Sequence, residues 1–173
     1  MIEGFFPDLV EFKVLKWDNY SYRRIAMETI INDLDSNYKL IRYRNKPDTI
    51  VFEIANEVKE AKCPYCGAVS SRVHSTYQRE IQDLPIQNKK VVLLVSTRKF
   101  FCDNDLCTRK TFSEIHKFVG KNAKKTTRIE DNILYTSAQL SSVAASKILK
   151  SNHINVSKSS ICVMLKKNAS TCG

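Results

Sequence analysis

Two cysteine pairs limit what this chain can fold into: Cys63-Pro64-Tyr65-Cys66-Gly67 and Cys102-Asp103-Asn104-Asp105-Leu106-Cys107. Each pair places two sulfurs on one tight turn, and the strand-rich stretch between them lets the fold bring the two turns together. Four thiolates complete a tetrahedral zinc sphere and leave no open position. The expected ligands are therefore Cys63, Cys66, Cys102 and Cys107 around one structural zinc, with no hydrolytic chemistry at the metal. The competing reading of six cysteines is a disulfide framework, which needs an oxidising compartment. The N-terminus has no basic stretch followed by an apolar core, so no secretory signal is expected. No apolar run approaches the roughly 20 residues that span a bilayer. The expectation is a cytoplasmic protein with reduced thiols and no membrane partner.

Other metal-binding side chains are read differently. Cys162 and Cys172 have no knuckle partner; Cys162 reads as a small helix residue and Cys172 as part of a tail. His74 and His116 also lack a partner at knuckle spacing. As strand histidines among basic and aromatic residues, they are expected at the surface or on phosphate. His153 falls in a polar turn and is expected to be solvated.

The length of 173 residues suits one or two small domains, and 43% hydrophobic with 27% charged residues is ordinary for a soluble protein. The net charge of +10 is unevenly placed: −2 over residues 1–60, +5 over 61–120 and +7 over 121–173. Asp131 is the last acidic residue. A one-sided basic charge of this kind is the electrostatic footprint of a nucleic-acid binder, and double-stranded DNA is the expected partner.

Three segments follow, giving an α+β chain: a zinc-ribbon-like small β module followed by a three-helix helix-turn-helix. Residues 1–47 are a lead-in of unknown role, with an early apolar cluster (Phe5, Phe6, Val10, Phe12, Val14, Leu15, Trp17), an aromatic-basic group (Tyr20, Tyr22, Arg23, Arg24), and Ile25, Ile30, Ile31 and Leu34 near helical spacing. Residues 48–118 read as β. Ile50 to Ala55 alternates as a half-buried strand, and Ser71 to Arg79 alternates with Val73 and Tyr77 on one face and His74 and Gln78 on the other. Asp83-Leu84-Pro85 breaks the pattern. Val91 to Val95 is fully apolar and runs through Arg98-Lys99-Phe100-Phe101 into the second knuckle. So small a sheet is expected to draw much of its folding energy from zinc.

Residues 121–167 read as a basic connector and three helices. Ile129, Ile133 and Leu140 mark the first. Ser141 and Ser142 are candidate caps for the second, with Ala144, Ala145, Ile148 and Leu149 inward. Ser157 is the expected N-cap of the third, with Ile161, Met164 and Leu165 inward and Ser159, Val163 and Lys166 outward. A polar turn before the last helix is the helix-turn-helix pattern, although an ordinary three-helix bundle has the same periodicity. In a helix-turn-helix the start of the last helix touches base edges. That nominates Lys158, Ser159, Ser160 and Val163 for bases, and Lys166, Lys167, Lys147 and Lys150 for phosphates. The Ser-Lys-Ser-Ser run also has a plainer reading, as a cap with a soluble surface.

Cys63-Pro64-Tyr65-Cys66-Gly67, Arg72-Val73-His74-Ser75, Arg79, Asp83-Leu84-Pro85, Arg98-Lys99-Phe100-Phe101-Cys102 and Cys107-Thr108-Arg109-Lys110-Thr111-Phe112 together resemble the N-terminal zinc-binding region of ISL-three family insertion-sequence transposases. Residues from about Arg128 to Lys167 resemble the helix-turn-helix that follows it. The resemblance implies recognition of an element's terminal inverted repeats, and adds Arg98, Lys99, Arg109 and Lys110 to the expected DNA contacts. It implies that strand cleavage and joining need a separate RNase H-like domain, whose three carboxylates hold two metals. With no acid after Asp131, the chain is expected to lack that chemistry, as a truncated frame or a fragment. Two other functions share these residues: a small zinc-dependent transcription regulator, and an interaction protein that forms homo-oligomers or pairs with, and inhibits, a full-length transposase.

Overall fold

A long antiparallel hairpin organises the molecule. Strand β5 (Val73–Ile86) turns through Gln87 and Asn88 into β6 (Lys89–Phe101). Both turn residues have positive φ, 51° and 56°, which matches the twist of a two-residue hairpin turn. The computed structural model describes residues 19–169, with side chains over 24–168. The early apolar cluster, Tyr20, Tyr22 and Arg23, and Cys172 lie outside the described side chains.

Before the hairpin come helix α1 (Asn19–Asn32), strands β1 (Tyr38–Asn45) and β2 (Thr49–Asn56), and the short β3 (Ala61–Lys62) and β4 (Val69–Ser70). After it come β7 (Thr111–Ser113) and helices α2 (Thr127–Gln139), α3 (Ser142–Ser151) and α4 (Lys158–Ala169). The main sheet has the order β1-β2-β6-β5, with β7 also pairing with β6. β2 runs parallel to β6 over Lys90 to Ser96, and β7 takes over at Lys99 to Phe101. β1 and β2 form a hairpin across Lys46-Pro47-Asp48, so the sheet draws its edge strand from the lead-in segment.

One face of the sheet carries the principal core. Ile50, Phe52 and Ile54 lie beside Val91, Leu93 and Val95, Ile81 of β5 extends the row, and Ile31, Phe118 and Val119 pack with them. The alternation that marked β2 in the sequence, and part of the apolar run of β6, thus form the buried face of one layer. A second cluster (Phe100, Phe112, Cys63, Cys102, Cys107) sits at the far end of β6. A third (Ile129, Ile133, Ala145, Leu149, Ile154, Val156, Ile161) joins the three helices.

Several local expectations change. β5 continues through Pro85 as an edge strand, where a missing N–H is tolerated, with a register slip between Asp83 and Ile86. A second slip lies between Val73 and Ser75. Val73 therefore pairs with Phe100 and Tyr77 with Thr97, on opposite faces rather than one. Leu140 and Ile148 are 40% and 44% exposed, not inward. The basic connector, residues 121–127, docks on β5: the Gln82 N–H donates to the Lys124 carbonyl at 2.9 Å, and the Thr126 N–H donates to the Gln82 carbonyl at 3.0 Å. Among the described residues no helix is long and apolar enough to cross a membrane.

Candidate metal centre and basic helical face

The first knuckle is the turn of the β3–β4 hairpin. The Cys63 N–H donates to the Ala68 carbonyl at 2.8 Å, and the Gly67 N–H donates to the Cys63 carbonyl at 2.9 Å. Gly67 has φ +79°, a conformation that costs a residue with a Cβ, so the glycine is required by the turn. The second knuckle joins β6 to β7. The Cys102 N–H donates to the Lys110 carbonyl at 2.9 Å, the Cys107 N–H donates to the Asn104 carbonyl at 3.0 Å, and the Arg109 N–H points at Cys107 Sγ at 3.5 Å. These bonds hold the two turns so that their sulfurs face one another.

The four Sγ atoms lie within 4.8 Å of one another, with Cys66 and Cys102 at 3.5 Å. Zinc–thiolate bonds of about 2.3 Å in a tetrahedron require sulfurs roughly 3.8 Å apart, so the set fits the ion. Cys63, Cys102 and Cys107 are buried and Cys66 faces out. The Ala68 backbone, then the neighbouring thiols, bring Cys66 down to about 7. At Cys102 the Asn104 backbone pulls the same way, but burial and the three neighbouring thiols outweigh it and push the thiol up to about 12. Cys66 gives up its proton easily while Cys102 and Cys107 hold theirs, which is the behaviour of thiols that need a dication to be ionised together. Cys63, Cys66, Cys102 and Cys107 form the site of one structural zinc. Among the described residues no other group of three or more Cys, His, Asp or Glu side chains converges in this way.

Aromatic packing supports the centre. The Phe100 and Phe112 rings stack at 5.8 Å beneath it. Asp103 holds Arg72 at 2.6 Å, and hydrogen bonds from Ser70 and Arg72 keep its carboxyl below the usual range. Arg72 also lies over the Phe101 ring at 5.4 Å, and Arg109 over the Tyr65 ring at 5.7 Å.

Two cysteine knuckles on short hairpins, closed by four thiolates, define a zinc-ribbon type of structural metal centre. Residues 59–107 match the family model described as the zinc-finger of transposase IS204/IS1001/IS1096/IS1165, so this region is similar to the zinc-binding region of those transposases. The match begins after β2 and ends before β7, leaving the three helices outside it. No curated protein and no solved structure matches the chain.

The three helices are fixed by their ends. Ser141 Oγ accepts the Ala144 N–H at 3.3 Å, and Ser157 Oγ accepts the Ser160 N–H at 3.1 Å, so both capping serines act as the sequence suggests. α3 closes with the His153 N–H on the Lys150 carbonyl and the Ile154 N–H on the Leu149 carbonyl, while His153 adopts φ +60°. That is the Schellman arrangement, with Ile154 and Leu149 both in the helical core. His153 is half-buried in this turn rather than fully solvated. Ser146 Oγ donates to the Val156 carbonyl at 2.9 Å and pins the turn to α3.

The nominated contacts divide into two groups. Lys158, Ser159 and Ser160 are exposed in the first turn of α4, and Val163 is 65% exposed one turn further on. Lys147 and Lys150 on α3, and Lys166 and Lys167 on α4, are also exposed. Ser160 Oγ is engaged with Ser157 Oγ at 2.9 Å. At the zinc end Arg109 and Lys110 are exposed and Lys99 is half-buried. Arg98 is held inside the fold: its guanidinium donates to Glu114 at 2.7 and 3.2 Å and to the Val58 carbonyl at 2.6 Å. It clamps β6 to β7 and the β2–β3 link.

Two buried polar groups were not legible as such in the sequence. His116, expected at the surface, is 2% exposed. Its Nε2 meets Thr97 Oγ1 at 2.9 Å and its Nδ1 meets the Tyr38 hydroxyl. Burial lowers the imidazole below its usual value and raises the Tyr38 phenol, so both are neutral. Asp83, 1% exposed, accepts from Thr126 Oγ1 at 2.6 Å and from Arg128 Nε at 2.8 Å, with a further contact to Arg128 Nη2. Gln82 Nε2 donates to the His153 carbonyl at 2.6 Å. This joint seats the three helices on β5.

Proposed function

We propose that this protein is the DNA-binding portion of a transposase, recognising the terminal inverted repeats of an insertion sequence. Strand cleavage and joining are assigned to carboxylates of a separate catalytic domain. α2 and α3 support α4, whose first turns enter the major groove with Lys158 and Ser159 at base edges. Val163, apolar and exposed, suits a thymine methyl. Lys147, Lys150, Lys166 and Lys167 lie along the phosphates, and Arg109 and Lys110 extend the basic surface at the zinc end. A cytoplasmic setting goes with this role.

The observation that carries the reading is the outward face of α4. It presents lysine, serine and an unburied valine, with two further exposed lysines on α3, on a unit joined through Asp83 and Gln82 to a transposase-type zinc ribbon. Selection of bound duplexes from a random pool, on the zinc-loaded protein, tests it. One enriched motif resembling an element end is expected. Lys158→Ala with Ser159→Ala is expected to erode preference for that motif more than total affinity. Absence of duplex binding at low salt overturns the reading.

A further inference from the structure

A groove of about 720 Å³ opens on the sheet face beyond the principal core, between the first knuckle and the connector that follows β7. It is far from featureless. Tyr65 of the knuckle and Tyr77 of β5 line it and are 54% and 42% exposed, and Lys121 and Lys124 line its connector side. Neither lysine is in an ion pair among the described residues. Arg79 also lines it, with Nη2 held on the Ala123 carbonyl at 2.9 Å. Of the two carboxylates in the lining, Glu114 is neutralised by Arg98, leaving Glu80 against three cations.

We propose that this groove binds an unpaired nucleotide of a single DNA strand, its base against Tyr65 and Tyr77 and its phosphates on Arg79, Lys121 and Lys124. The ligand class follows from the pairing of chemistries. Exposed phenol rings offer flat apolar surface to a base of any sequence, and cations at the rim answer a backbone that carries one charge per nucleotide. The volume lies within the range of pre-formed small-ligand sites, about 300–1,000 Å³, so it admits a nucleotide and excludes a duplex. The slip in β5 at His74 is what turns Tyr77 to this face. The groove shares no residue with the α4 face, and only Arg109, over the Tyr65 ring at 5.7 Å, lies near both the groove and the proposed duplex surface, so the base contacts of α4 stand or fall without it.

The test is binding of a labelled short oligothymidine and of a labelled duplex to the zinc-loaded full chain. Tyr65→Ala with Tyr77→Ala is expected to weaken oligothymidine binding by about tenfold or more and to leave the duplex sequence preference, which α4 carries, unaffected. Tyr65→Phe with Tyr77→Phe, which keeps the rings, is expected to bind as the parent does. Unchanged oligothymidine affinity in the alanine pair overturns the proposal, as does parallel loss on both ligands with zinc retained. If the alanine pair fails to hold zinc, Lys121→Ala with Lys124→Ala decides. It is expected to reduce the salt slope for oligothymidine by about 1.4, from two phosphates at roughly 0.7 each. An unchanged slope overturns the assignment. Displacement by free thymidine monophosphate as effective as by the strand would make this a mononucleotide site instead.

Discussion

The two ends of the β5–β6 hairpin are stabilised by different physics. At the turn end, Ile81, Val91, Leu93 and Val95 pack against Ile50, Phe52 and Ile54 in an apolar core without any cysteine. At the far end, Phe100 and Phe112 share a small cluster with three of the four ligands, and β5 from Val73 to Gln78 is exposed throughout. One end is held by buried area, the other by a metal. The expectation that zinc supplies much of the sheet's folding energy therefore applies to one end only. A strand pair can be continuous in hydrogen bonding and still divide into units of different stability.

The largest effect that breaks this comparison is loss of the metal. Structural zinc is worth about 10–16 kcal/mol in small zinc peptides. Chelation, or Cys102→Ser, is expected to abolish amide-exchange protection over residues 61–70 and 99–113 while Val91 to Val95 stay protected. Loss of protection along the whole hairpin would show that the two ends are one unit. Next comes Phe52→Ala, at 0% exposure, expected to cost about 3–5 kcal/mol in urea denaturation without changing zinc stoichiometry. Zinc loss at native conditions in that variant would contradict the division.

Asp83→Ala tests a third region, the joint to the helices. It strips partners from the Thr126 hydroxyl and from Arg128, whose side chain is 37% exposed and so partly screened. The expected cost is about 2–3 kcal/mol, with the helical resonances moving more than those of β1 and β2. A shift confined to β5 would deny the joint its role.

The smallest effect is the pH response of His116. Its folded pKa is depressed by burial, so below the usual imidazole value the unfolded chain takes up a proton that the folded chain refuses. Stability is therefore complete above that value and falls as the pH drops through and below it, by at most about 1.4 kcal/mol per pH unit. A ring titration by NMR at or above the ordinary histidine value would refute the buried, neutral assignment.

Much of the metal centre was legible because its determinants are local. Cysteine spacing, a glycine two hydrogen bonds into a turn, and serines three residues before a helical N–H are short-range geometry, and Cys63, Cys66, Cys102, Cys107, Ser141 and Ser157 all stand where spacing puts them. The sheet was legible in type but not in partnership. Val91 to Val95 announces a buried strand, yet nothing in it says that β2 lies parallel on one side. β1 was missed although Tyr38 and Leu40 alternate with exposed residues, because its basic and aromatic residues masked the period. His116 was misplaced, and the pairing of Arg98 with Glu114 was unseen, for a shared reason. A polar side chain in a strand-rich segment looks solvent-bound until its partners, Tyr38, Thr97 and Glu114, are known.

By itself, then, the sequence determined the ligands, the helix caps and the apolar faces, since each depends on contacts within a few residues. Only the tertiary structure decided how far the metal's influence reaches, which face Tyr77 occupies and how the helices seat on β5. Those depend on strand register, and one inserted residue at His74 or the slip between Asp83 and Ile86 reassigns every side chain beyond it.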